Sequence, residues 1–212
     1  MNKISLFLSF VCLLAFKAMP FEYKNGDLIF QVGGGSRFSD AIESATGKAD
    51  REEYNYVHVG IISLGGSGSV YVIEASPQEG VRISPLEDFL ADSPVVNGNP
   101  GAVVMRVKDT LPFEWIVSKA LQHIGEPYDW YYLPDNGMMY CSELVYETYV
   151  DAEGKKVFKS QPMNFRSPDG TMPEFWIDLY QKLGIDVPEG IPGTNPNDLS
   201  KDPQLEEIYR YF

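Results

Sequence analysis

Thiols, imidazoles and positive charge are all scarce in this 212-residue chain, and each scarcity removes a class of function. The only cysteines are Cys12 and Cys141, and Cys12 falls inside an apolar N-terminal run. An exported chain that keeps Cys141 alone cannot form an internal disulfide. The only histidines are His58 and His123. With no CxxC and no HExxH, the common zinc spacings are missing, so neither a metal nor another cofactor is read from the sequence. Lysine and arginine number 17 against 30 aspartates and glutamates, a formal charge of -13. So acidic a surface repels phosphate backbones and anionic headgroups, which argues against nucleic acid as a partner. A hydrophobic content of 44%, with 13% aromatic, excludes an acidic disordered tail.

What is present begins with Met1-Asn2-Lys3, an apolar run from Ile4 to Phe16, and Ala18 ahead of a possible cleavage point. This is the shape of a secretory signal peptide over residues 1–18, and it is short for a membrane span. Ser9-Phe10-Val11 lacks the small residue expected before a lipid-modified cysteine, so Cys12 points to simple cleavage. The expected product is an exported protein, periplasmic or extracellular, with no stable membrane insertion. Without Lys3 and Lys17 it holds 15 basic against 30 acidic residues, -15. Residues 19–212 suffice for one domain with a Pro- and Gly-rich C-terminal tail.

Along that stretch, Gly26 to Phe30 reads as a turn entering a buried strand, and Arg37 to Thr46 as a short helix after Gly33-Gly34-Gly35-Ser36. Tyr56 to Leu64 and Val70 to Ala75 are β-rich and flank Gly65-Gly66-Ser67-Gly68-Ser69, a hairpin signal. Val81 to Ser84 is a brief strand, Pro85 to Leu90 a helical turn or two, Pro94 to Gly101 a loop and Ala102 to Val107 a strand. Pro112 opens a helix that Gly125 closes; Cys141 to Val150 and Pro173 to Gly184 are two more. In the tail, Leu205 to Tyr209 is the one apolar turn. The pattern is α+β, a small antiparallel sheet packed against helices.

Three residues draw attention as chemistry. Cys141 opens a helix, where the macrodipole and unpaired N–H groups favour a thiolate. A buried inert thiol, an intermolecular bridge and a nucleophile are the open readings. With Gly66 at the centre of the hairpin, Gly60 faces Val72 and His58 faces Glu74, and a carboxylate across a ladder can fix an imidazole tautomer. A slip by one residue would bring Tyr71 or Ile73 across instead. The plain alternatives are a hydrogen-bonded core histidine and a solvated glutamate. His123, at a helix C-terminus, reads as a surface group. Trp130, Tyr131 and Tyr132 are core or a cleft wall, and Glu143, Glu147 and Asp151 the wet face of the Cys141 helix.

Gly125-Glu126-Pro127-Tyr128-Asp129-Trp130 followed by Tyr140-Cys141-Ser142-Glu143-Leu144-Val145 resembles the signature of NlpC-type cell-wall cysteine peptidases, in which a histidine follows the cysteine. Here none follows Cys141. The order His58, Glu74, Cys141 resembles instead the circularly permuted, YiiX-like branch of papain-like enzymes, whose relatives include lecithin:retinol acyltransferase-type proteins. Gly26 to Phe30, His58-Val59-Gly60-Ile61, Glu74-Ala75-Ser76-Pro77 and Pro192 to Leu199 fit the same branch. The resemblance implies a papain-like fold with Cys141 as nucleophile, His58 as base and acid, and Glu74 as the orienting carboxylate. Tyr128 is the candidate for a hydroxyl at the oxyanion. Tyr140 and Glu143 depart from the ordinary aspartate and glycine, which blocks direct transfer of NlpC substrate preference. The expected substrate is an amide or isopeptide, in peptidoglycan-derived or other peptides. Acyl esters, with acyl transfer or lipid hydrolysis, and a non-catalytic binding module are the alternatives. Oligomeric state is not legible.

Overall fold

The computed structural model describes residues 21–47 and 54–212. The expected signal peptide lies outside the described residues. Six strands form one antiparallel sheet: β1 (Leu28–Val32), β2 (Tyr56–Leu64), β3 (Val70–Ser76), β4 (Gly80–Pro85), β5 (Ala102–Val107) and β6 (Leu205–Arg210). Their spatial order is β6-β5-β1-β2-β3-β4. The helices are α1 (Arg37–Thr46), α2 (Leu86–Ala91), α3 (Phe113–Gln122), α4 (Cys141–Thr148), α5 (Glu174–Leu183) and α6 (Pro196–Leu199). None among the described residues is long and apolar enough to cross a membrane.

The sheet is buried on both faces, as its β-branched runs require. On one face Val59, Ile61, Ile73 and Val103 pack with Ile116 of α3, Leu144 and Val145 of α4 and Trp176 of α5. On the other Ile29, Ile62, Val72 and Val104 pack with Phe89 of α2, and Phe21 and Tyr211 lie against them. Helix ends follow local chemistry. Ser36 caps α1 by accepting the Ser39 N–H at 3.1 Å, and Gly184 ends α5 in the left-handed region at φ 70°.

Two elements differ from the sequence reading. Leu205 to Tyr209 is not an isolated turn but part of edge strand β6, paired along β5. Such a charged run, Leu-Glu-Glu-Ile-Tyr-Arg, reads poorly as a strand alone, because alternation of burial appears only once a neighbour is known. Val95–Val96 and Asn99–Pro100 form a two-residue ladder inside the expected loop.

The hairpin is also centred one residue later than expected. Gly66–Gly68 makes a 3-10 turn with Ser67 at φ 62°, so Ile62 pairs with Val72 and Leu64 with Val70. His58 therefore does not face Glu74 directly. The offset is two residues, an even number, so both side chains stay on one face and meet diagonally.

Candidate active site

Cys141 is the first residue of α4, and the residue is 4% exposed. Tyr140 before it is extended, and Leu144 N–H already bonds Tyr140 carbonyl at 3.0 Å, starting the helix. The Glu143 carboxylate reaches back to the Tyr140 N–H at 3.4 Å. The N–H groups of the first turn thus surround the sulfur with partial positive charge. The approach to α4 is clipped to the loop after α3: Met139 N–H bonds Pro127 carbonyl at 3.1 Å and Asp129 N–H bonds Met139 carbonyl at 3.1 Å. Buried Asp129 accepts the N–H groups of Tyr131 and Leu133 at 2.8 and 2.9 Å, which holds the aromatic loop in shape. That loop also docks on β4, where Val81 N–H bonds Glu126 carbonyl at 2.8 Å. Only glycine serves at position 80: φ is 75°, and a Cβ would lie 2.2 Å from the Glu126 oxygen.

His58 sits just past a β-bulge. Gln31 pairs with His58 and Val32 with Tyr56, leaving Val57 as the extra residue. The bulge lets Tyr56 and Val59 both face the core that holds α4. His58 Nε2 meets a Glu74 carboxylate oxygen at 2.5 Å, and the ring stacks on Phe89 with centroids 5.8 Å apart. The other Glu74 oxygen accepts Arg82 Nε and Nη2 at 3.0 and 2.9 Å. Arg82 in turn pairs with Glu79 at 3.2 Å and Asp92 at 3.6 Å.

Electrostatics follow from this chain. Burial alone would lower the His58 pKa, but hydrogen bonding and charge interaction with Cys141 and Glu74 outweigh it and push it up to about 10. Burial would raise Glu74, yet its bonds to His58 and Arg82 hold the carboxyl below its ordinary range. Since Glu74 occupies Nε2, Nδ1 is the ring nitrogen left for the thiol. The set can share a proton between sulfur and nitrogen with a fixed carboxylate behind.

Two cavities open on this set. A cleft of about 890 Å³ is lined by His58, Glu74, Arg82, Phe89 and the Gly33–Ser36 loop. A second, aromatic pocket holds Cys141 with Tyr128, Tyr132, Tyr140, Phe165 and Trp176. Ile42 and Val57 line both.

The structure brings His58 and Glu74 together and sets Cys141 beside them, with Tyr128 in the wall of the thiol pocket, its hydroxyl 3.2 Å from that of Tyr132. Burial keeps the Tyr128 hydroxyl protonated, its pKa raised well above the ordinary value. Tyr132 is cleft wall and core at once. His123 pairs with Glu126 at the end of α3. Glu143 is a correction: it is buried, not on the wet face, and burial together with the Asp129 charge raises its carboxyl to about 8. Arg82 went unnoticed in the sequence, although the cross-strand arithmetic used for Glu74 also applies to the β3–β4 hairpin, where Glu74 faces Arg82. The tail, too, reaches the site: Thr194, Asn195 and Pro196 line the pocket of Cys141.

A six-stranded antiparallel sheet carrying histidine and carboxylate, against a helix that opens on cysteine, defines a permuted papain-like cysteine hydrolase. The model of the permuted papain-like amidase family, YaeF/YiiX, C92, matches residues 22–209, and the chain belongs to that family. An uncharacterized protein, YiiX of Escherichia coli strain K12, is 28% identical over 200 residues, 92% of this chain and 91% of that protein. A crystal structure described as metalloprotein yiiX from Escherichia coli O157:H7 superposes with a TM-score of 0.69 at 27% identity, covering 88% of this chain and 97% of that one. In this chain no group of three or more His, Cys, Asp or Glu side chains among the described residues is arranged to hold a metal ion. His58 Nε2 is already committed to Glu74. The residues present therefore do not fit a metal centre at this site.

Proposed function

We propose that the protein is an exported amidase that cleaves amide or isopeptide bonds in peptides, those of peptidoglycan included, through a thioester on Cys141. The observation that carries this reading is the His58–Glu74 bond beside a thiol at a helix N-terminus. His58 takes the thiol proton and the sulfur attacks the carbonyl carbon. The oxyanion is met by the Cys141 N–H and by the Tyr128 hydroxyl, a neutral donor. As the C–N bond breaks, the amine leaves with the proton from His58. Water then gives a proton to His58 and its oxygen to the acyl carbon, which releases the acid and restores the thiol. Glu74 keeps the ring oriented and stabilises its cation, and Arg82 fixes Glu74.

The test is incubation with muropeptides and with acyl-ester probes, read by mass spectrometry, beside the Cys141→Ala variant. Stem-peptide cleavage that vanishes in the variant supports the proposal. Acyl transfer or ester cleavage alone would move the assignment to the lipid-like relatives. Turnover retained without the sulfur would reject the mechanism.

A further inference from the structure

The pocket around Cys141 has a polar inventory that does not close on itself. Its walls are aromatic and aliphatic, and no charged side chain lines it. The Tyr128 and Tyr132 hydroxyls share one bond at 3.2 Å, which with Tyr132 donating leaves the Tyr128 proton for the oxyanion, and the Tyr140 hydroxyl accepts the Thr194 N–H at 3.1 Å. Three side-chain groups remain. Ser142 Oγ, Thr194 Oγ1 and Trp176 Nε1 all belong to lining residues, all are buried, and none has a hydrogen-bond partner. Buried polar groups are rarely left so, because the lost hydration is not replaced. An indole N–H can only donate, and a serine or threonine hydroxyl can donate or accept. All three can therefore donate to an acceptor brought in from outside.

We propose that this pocket is the acyl subsite and that it takes a compact, uncharged acyl group bearing one hydrogen-bond acceptor a few bonds from the reacting carbonyl. The inference rests on the thioester reading above. In that reaction His58 protonates the leaving amine, and His58 lines the open cleft, so the amine side lies there and the acyl side lies with the sulfur. Aromatic walls without a counter-charge exclude a carboxylate or an ammonium, whose desolvation nothing would offset. A plain alkyl chain would fill the space but leave Trp176 Nε1, Ser142 Oγ and Thr194 Oγ1 unpaired.

The test compares two p-nitrophenyl esters that differ only by a carbonyl oxygen in place of a methyl group, 4-oxopentanoyl and 4-methylpentanoyl. In each, the Sγ–C bond forms, nitrophenolate departs with the C–O electron pair, and the thiol proton passes to His58. Rates of Cys141 acylation are read by intact mass and peptide mapping, each divided by the rate with N-acetylcysteine. The expected preference for the oxo ester is on the order of 5- to 10-fold, the worth of about one neutral hydrogen bond. Trp176→Phe keeps a ring and loses the N–H, and it should bring the ratio to about 2 or below. Ser142→Ala gives an independent reading should the tryptophan variant not fold. Acylation of Cys141 that depends on His58 but shows no preference, or a preference that both variants keep, overturns the subsite and leaves the thioester reading standing. No acylation at Cys141 overturns both.

Discussion

Replacing Glu74 by glutamine removes one charge and almost nothing else. The side chain is 4% exposed and wedged between His58 Nε2 at 2.5 Å and Arg82 at 2.9 to 3.0 Å. The amide can still accept from the imidazole, so ring orientation survives. What is lost is the difference between a charge-assisted and a neutral buried hydrogen bond, about 1–2 kcal/mol, with the carboxylate's pull on the imidazolium. Arg82 keeps Glu79 and Asp92 and is not stranded. On an amide that the wild type turns over, kcat/KM should fall about 5- to 30-fold, each 1.36 kcal/mol being one decade. The alkaline limb of the pH profile should also move down, since the anion that helps hold the His58 proton to about 10 is gone. Stability should follow the same linkage. His58 is raised above its unfolded value of about 6.5, so its contribution is whole below that pH and is lost as pH climbs through about 10. Glu74 is depressed, so its own contribution is lost on acidification. The wild type should exceed the variant most between these limits. A variant with kcat/KM within twofold of wild type and a superimposable pH profile would refute the orienting role.

Cys141→Ala should abolish turnover while changing the melting temperature by only a few degrees, because one small buried atom is removed. Glu143→Gln should gain stability relative to wild type as pH rises. The native carboxyl titrates at about 8, above its ordinary 4.5, so the folded wild type is penalised increasingly across that window. Calorimetry from pH 5 to 9 measures this, and a constant difference would count against burial of that carboxyl. Gly60→Ala should cost about 1–3 kcal/mol, as for other overpacked cores. Its Cβ would lie 2.3 Å from a methyl of fully buried Val72 and 3.5 Å from the Glu74 Cβ. Denaturant titration checks the loss.

Much of this was legible beforehand because the relevant signals are local. Arg37–Thr46 and Tyr56–Leu64 emerge with the bounds read from the sequence, since glycine, proline and periodicity mark them sharply. The His58–Glu74 pair was found through hairpin arithmetic that was off by two residues, and it survived because an even shift preserves the face. Pattern gave no warning of the bulge at Val57, which depends on the neighbouring strand. Glu143 escapes sequence reading for a related reason: a helix face is wet or buried according to what packs on it, and here Glu143 is buried within reach of the Asp129 charge. The tail beside Cys141 is a contact between residues far apart in sequence, which no local rule reveals.

The account turns on one imidazole shared by sulfur and carboxylate, and its titration is directly observable. With only two histidines in the chain, ring-carbon NMR of His58 resolves readily from His123, and a His123→Gln variant assigns it. The wild-type ring should remain protonated through neutrality and titrate near 10, and Cys141→Ala should bring that midpoint down. A His58 midpoint near 6.5, unmoved by loss of the sulfur, would contradict the account.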